Sequence, residues 1–168
     1  MKALFLDFDS TLSKPQFLER LGVWAIADKP DVLNSLTPEE RIANFGGADR
    51  IAALDSLLSA VGSSTELYIE SLGFKHAIIP QLETASLMRH FEPDNIYGQD
   101  ELRSVKYVKA KLIASIVASH QWADALFVDD SKDHIAVANK RRVCRTLHVQ
   151  GNGLSLDEMD DIRAWAAS

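Results

Sequence analysis

Leu4-Phe5-Leu6-Asp7-Phe8-Asp9-Ser10-Thr11-Leu12 is the stretch that decides the fold. The short apolar run from Lys2 to Leu6 lacks polar alternation, which marks a strand buried on both faces. It ends in polar residues, where a strand leaves the core. Farther along, Ala125-Leu126-Phe127-Val128 followed by Asp129-Asp130 repeats the pattern. Glu66 to Ile69 is a third strand candidate and runs into Glu70-Ser71. Asn95 to Gly98 and Arg142 to Val149 are weaker ones.

Helical patterns lie between these runs. Ala48-Asp49 opens a helix with Ile51, Leu54, Leu57, Leu58 and Val61 on one face, and Gly62-Ser63-Ser64 ends it. A second helix is expected from Lys75 to His90, with Pro80 tolerable only in its first turn. Val105 to His120, Asp133 to Lys140 and Ser155 to Ala167 read as three more, the last capped by Ser155. Short strands alternating with helices indicate an α/β domain, a Rossmann-like three-layer sandwich around a mostly parallel sheet. Residues 14–46 break the alternation. There Phe17, Leu18, Leu21, Trp24 and Ala25 fall near a 3.6-residue period, and Thr37-Pro38-Glu39-Glu40 is a good helix start. A small helical insertion after the first strand is expected, within a single domain spanning 1–168.

Composition narrows the classes. A chain of 168 residues suffices for one domain that buries about 70% of its unfolded surface. With 46% hydrophobic and 25% charged residues it is neither disordered nor fibrous. A net charge of −6 argues against a protein that grips a nucleic-acid backbone. The single cysteine, Cys144, cannot form an internal disulfide and reads as a core residue. The first apolar run stops at Asp7, too early for a signal peptide, and no run approaches the roughly 18 residues of a membrane span. A soluble, cytoplasmic protein is expected.

In open parallel sheets ligands bind beyond the carboxyl ends of the strands, and that is where the acids sit. Asp7 and Asp9 would point the same way if period-two geometry continued past the strand. Like charges that close repel unless a cation lies between them. With Asp129 and Asp130 at the same edge, four carboxylates suit a hard, oxygen-seeking ion such as Mg²⁺. The five histidines show no metal-ligand spacing; His134 follows the second acidic pair and could approach the site, although an exposed helix start is the expected place for it. Lys140, Arg141, Arg142 and Arg145 read as a solvated helix end and strand edge.

The motifs together resemble the haloacid dehalogenase superfamily, over about residues 2 to 148. Leu4 to Leu12 resembles its first motif, an apolar strand followed by Asp-x-Asp-x-Thr. Leu67-Tyr68-Ile69-Glu70-Ser71 is similar to the second, Val108-Lys109-Ala110-Lys111-Leu112-Ile113 to the lysine-bearing third, and Leu126-Phe127-Val128-Asp129-Asp130-Ser131 to the fourth. The resemblance implies a phosphatase that works through an aspartyl-phosphate, with Asp7 as nucleophile and Asp9 as general acid and base. An acid at position 9 fits a phosphate ester, whose leaving oxygen needs a proton, better than a halide. Thr11 would steady the Asp9 side chain. The resemblance further implies Mg²⁺ held by the Asp7 carboxylate, the Asp9 carbonyl and Asp130, with Asp129 as a second ligand. Ser71 would hydrogen-bond the phosphoryl group and Lys109 would neutralise it. Lys106 and Lys111 are alternatives expected on the same helix. Glu70 suits such a site only if it points away.

Only about 35 residues separate Leu12 from the helix at Ala48, room for a minimal cap. An open site follows, and with it a phosphorylated substrate that is either a phosphoprotein or a small molecule. Two other outcomes fit the motifs: a phosphotransferase or mutase that uses Asp7, and a catalytically silent module that binds a phosphorylated ligand.

Overall fold

The computed structural model describes residues 1–15 and 30–168. Strand β1 (Lys2–Leu6) sits at the centre of a sheet with β2 (Thr65–Glu70) on one side and β4 (Asp124–Asp129) on the other. The two-residue β3 (Ile96–Tyr97) and β5 (Arg145–His148) complete it at the edges, in the order β3-β2-β1-β4-β5. Every pairing is parallel, so the sheet is parallel throughout rather than mostly so. Leu6 lies beside Ile69 and Val128, which brings the acids that follow all three strands to one rim.

Strand alternation divides the core into two layers. Leu4, Leu6, Leu67, Ile69, Leu126 and Val128 face the helices Ala48–Gly62, Lys75–Thr84 and Leu156–Ala167. Ala3, Phe5, Tyr68, Ala125 and Phe127 face Lys109–His120 and Lys132–Arg141. Apolar residues on both faces of each central strand are what a sheet covered on both sides requires. The result is the expected three-layer, Rossmann-like sandwich. Among the described residues no helix is long and apolar enough to cross a membrane.

Several boundaries differ from the sequence reading. The helix from Lys75 stops at Thr84, not His90, because Ser86 adopts a left-handed conformation and a 3-10 turn follows at Met88–His90. Pro80 lies past the first turn, contrary to expectation. Its carbonyl there accepts bonds from the Thr84 hydroxyl and the Arg41 guanidinium. The third-motif helix starts at Lys109 rather than Val105, since Lys106 and Tyr107 are left-handed.

Of the segment 14–46, Pro30–Asn34 and Pro38–Asn44 are helical. Thr37 caps the second with the reciprocal bonds of a capping box, as its sequence predicted. Leu33 and Leu36 pack against Ala77, seating this segment on the Lys75–Thr84 helix. The expected stripe from Phe17 to Ala25 lies outside the described residues.

Candidate active site

Chain parity builds the site. Asp7 follows Phe5 by two, Asp129 follows Phe127 by two and Glu70 follows Tyr68 by two. All three acids therefore continue the sheet face that packs on the Lys109–His120 helix. Lys109 is the first residue of that helix, so its side chain reaches back over the strand ends. Its ammonium donates to Asp7 Oδ1 and to Asp129 Oδ2, each at 2.7 Å, and all three residues are buried. Lys106 is exposed in the turn before the helix and Lys111 is only half-buried two positions further round it. Helix geometry thus selects Lys109 from the three lysines.

The Asp9 side chain arrives by a different route from the one expected. The chain leaves β1 at Leu6 and winds through one wide turn over Phe8–Leu12, with Asp9 extended and Ser10 left-handed at φ 57°. This turn, not continued strand alternation, carries Asp9 back to the cavity. Thr11 also differs: its hydroxyl donates to Asp7 Oδ2 at 3.4 Å instead of steadying Asp9. Ser71 is fully buried, and its hydroxyl oxygen accepts the Gly73 amide at 2.9 Å, leaving the hydroxyl proton to donate. A Cβ on Gly73 would lie 3.2 Å from Ser71 Oγ and 3.5 Å from Asp9 Oδ2, so these two groups face one small space.

Asp9 also lines a cavity of about 180 Å³, together with Asp7, Ser10, Leu72, Lys109, Asp129, Asp130, Ser131 and His134. His134 takes the less expected of the two places its sequence position allows. It was expected at an exposed helix start, yet Nδ1 lies 3.1 Å from Asp129 Oδ2. Ser131 caps that helix, turning His134 toward the acids one turn in; the cap signal in the sequence was the available clue.

Donors divide the two aspartates of the fourth motif. Asp129 accepts from Lys109, His134 and the Ser131 amide. Burial works against its charge, but the His134 and Lys109 bonds outweigh that and hold its carboxyl below the usual range. Asp130 is half-buried; burial, then the Asp129 charge, pushes it up. Burial raises Asp7 well above the ordinary carboxylate value against the pull of Lys109. It also raises Asp9 to about 7, again opposed by Lys109, and Asp9 Oδ1 has no partner. Lys109 loses by burial but gains more from Asp7 and Asp129, so it stays charged. Glu70 does not line the cavity; it is fully buried, neither oxygen is hydrogen-bonded, and burial, opposed by the Lys109 charge, drives it well above its usual value.

Asp7, Asp129 and Asp130 each offer an oxygen within 4.8 Å of the others. This donor set fits a small divalent cation. Asp129 accepts three donors, whereas Asp7 accepts one on each oxygen, from Lys109 and Thr11, and Asp9 Oδ1 beside them has no partner.

No protein-family model matches the sequence, and no curated protein matches it. Solved structures do. A haloacid dehalogenase-like family hydrolase from Streptococcus pneumoniae aligns over 95% of this chain and 90% of its own, at 19% identity and a TM-score of 0.54. The HAD domain of an effector protein from Legionella pneumophila aligns over 95% and 92%, at 15% identity and a TM-score of 0.58. By these superpositions the chain has the fold of the haloacid dehalogenase-like proteins.

Proposed function

We propose that the protein is a Mg²⁺-dependent phosphomonoester hydrolase that works through an aspartyl-phosphate on Asp7. The observation that carries this reading is Lys109, buried and shared between Asp7 and Asp129, beside a third acid on the same rim. The S. pneumoniae neighbour is itself described as a hydrolase. In the first half-reaction the Asp7 carboxylate attacks phosphorus, the bond from phosphorus to the ester oxygen breaks, and Asp9 gives that oxygen its proton. A carboxyl raised to about 7 still holds a proton near neutral pH, which supports this role. In the second, water attacks phosphorus, Asp9 takes its proton, and the bond to Asp7 breaks to release phosphate. Ser71 and Lys109 would donate to the phosphoryl oxygens.

Asp7, Asp130 and the Asp9 carbonyl would hold Mg²⁺, whose charge offsets that of the phosphoryl group and favours ionised Asp7. Asp129 would serve Lys109 and His134 first and the metal only at second hand. Residues 14–46 would form the minimal cap. A cap this short would leave the site open to a phosphoprotein as well as to a small ester. Asp7→Asn should fold normally and release no phosphate from p-nitrophenyl phosphate with Mg²⁺. Turnover at the wild-type rate by the folded variant would remove Asp7 as nucleophile.

A further inference from the structure

Arg50 lies outside the cavity and takes no part in the steps above, yet it is bonded more densely than any other surface arginine described. Nη1 donates to the Leu12 carbonyl at 2.6 Å and the Phe45 carbonyl at 2.8 Å. Nη2 donates to the Thr11 carbonyl at 3.0 Å and the Leu154 carbonyl at 3.4 Å. Four carbonyls from three separate stretches of chain thus converge on one guanidinium. They come from the turn that carries Asp9, the end of the 30–46 segment, and the loop after β5.

The surroundings are shaped for it. Gly153 has φ 89°, and a Cβ there would lie 2.6 Å from Arg50 Nη2 and 3.0 Å from the Ser13 carbonyl. A Cβ on Gly46, at φ 88°, would lie 2.9 Å from Arg50 Cδ. Two glycines in conformations that other residues rarely adopt leave room for the Arg50 side chain and for that of Lys14, which a Cβ at either position would meet at 2.8 Å. Beside it, Gly153 donates to the Ser10 carbonyl and Leu154 to the Thr11 carbonyl, both at 2.9 Å. The turn over Phe8–Leu12 has no strand ladder to satisfy its carbonyls, and a buried carbonyl needs a donor. Arg50 and the 153–154 amides supply them. A planar fork with charge-assisted bonds fixes direction as well as distance, which a lysine cannot do.

We propose that Arg50 is the positioning residue for Asp9: by fastening Thr11 and Leu12 to Phe45 and Leu154, it sets the Asp9 carboxyl against Asp7 and the leaving oxygen. The proposal rests on the hydrolase reading. It predicts a defect concentrated in the proton-transfer steps, because Lys109, Asp129 and Asp130 hang from other elements and the Asp7 amide is tied to the sheet through the Val128 carbonyl at 2.9 Å, leaving only the Thr11 bond to link Asp7 to the turn.

The test compares wild type, Arg50→Lys and Arg50→Met on p-nitrophenyl phosphate with Mg²⁺. Its leaving group departs without a proton, so the first turnover should stay near the wild-type rate in both variants. Steady-state turnover needs Asp9 to accept a proton from water. It should fall roughly 100-fold in Arg50→Met, the scale of a misplacement of about 1 Å, and less in Arg50→Lys, with KM little changed. Amide exchange should quicken at Ser13, Gly153 and Leu154 and remain unchanged at Lys109 and Asp129. First-turnover and steady-state rates that fall together, in step with the melting temperature, would reduce Arg50 to a merely structural residue and overturn the proposal. So would a folded Arg50→Met with wild-type turnover. A wild-type protein that releases no p-nitrophenol under any divalent ion would instead overturn the hydrolase reading, and the Asp9 assignment with it.

Discussion

Asp9 shows how a single carboxyl is set by its surroundings. Its pKa stands at about 7 because burial strips its charge of water and Lys109 only partly compensates. In the unfolded chain the same group ionises near its ordinary 3.8. Between those values the unfolded state has shed the proton while the folded state keeps it. The unfolded state then binds fewer protons, so stability falls as pH rises from about 4 and levels off above about 7. In chelator, Asp9→Asn should therefore melt like wild type near pH 4 and progressively higher than wild type toward pH 8. The gap at pH 8 should be on the order of 1–4 kcal/mol, the lower part of that range if water reaches the carboxyl. Thermal melts across pH check this; a gap that is constant with pH would mean that Asp9 is not raised in the folded protein.

At the scale of elements, the loop after β2 depends on close backbone approach. Gly73 donates its amide to Ser71 Oγ, and its carbonyl accepts the Gln99 amide at 2.7 Å. Gly98 presses against this loop: a Cβ there would sit 2.5 Å from the Lys75 nitrogen and 2.8 Å from the Gly73 oxygen. Backbone atoms cannot swing aside as a flexible side chain can. Gly98→Ala should cost about 1–3 kcal/mol in denaturant unfolding, as overpacking does. It should also raise KM, because the displaced loop carries Ser71. Unchanged stability together with unchanged KM would mean that the loop tolerates a shift of this size. The run of β2 into Glu70-Ser71 was readable in the sequence, but the clasp by Gly98 was not, since β3 is only two residues long and carries almost no pattern.

At the scale of the whole molecule, the rim concentrates Asp7, Glu70, Asp129 and Asp130 about one buried lysine. A divalent cation held there would offset the charge of the ionised acids. Mg²⁺ should therefore raise the melting temperature of the wild-type protein. The stabilisation should follow the logarithm of ion concentration and reach about 2.7 kcal/mol at a hundredfold excess over Kd. Asp130→Asn should abolish most of the shift while leaving the metal-free melting temperature unchanged or slightly higher, since it removes a repelling charge. A Mg²⁺ shift in Asp130→Asn equal to that in wild type would exclude Asp130 as a ligand.

By itself the sequence determined that the central strands are apolar on both faces, that they alternate with helices, and that they end in acids. Those features are local, because strand and helix periods and capping residues are written within a few neighbours, as at Leu4–Asp7, Thr37–Glu40 and Ser155. The tertiary structure alone decided which groups meet. Parallel register put Asp7 between Glu70 and Asp129, and the start of one helix chose Lys109 over Lys106 and Lys111. A wide turn rather than a strand delivered Asp9, Thr11 went to Asp7, and a serine cap swung His134 inward. Arg50 collected carbonyls up to 104 positions away. Each of these outcomes depends on register, on where a helix begins and on distances across the fold, and no periodicity within one segment encodes them.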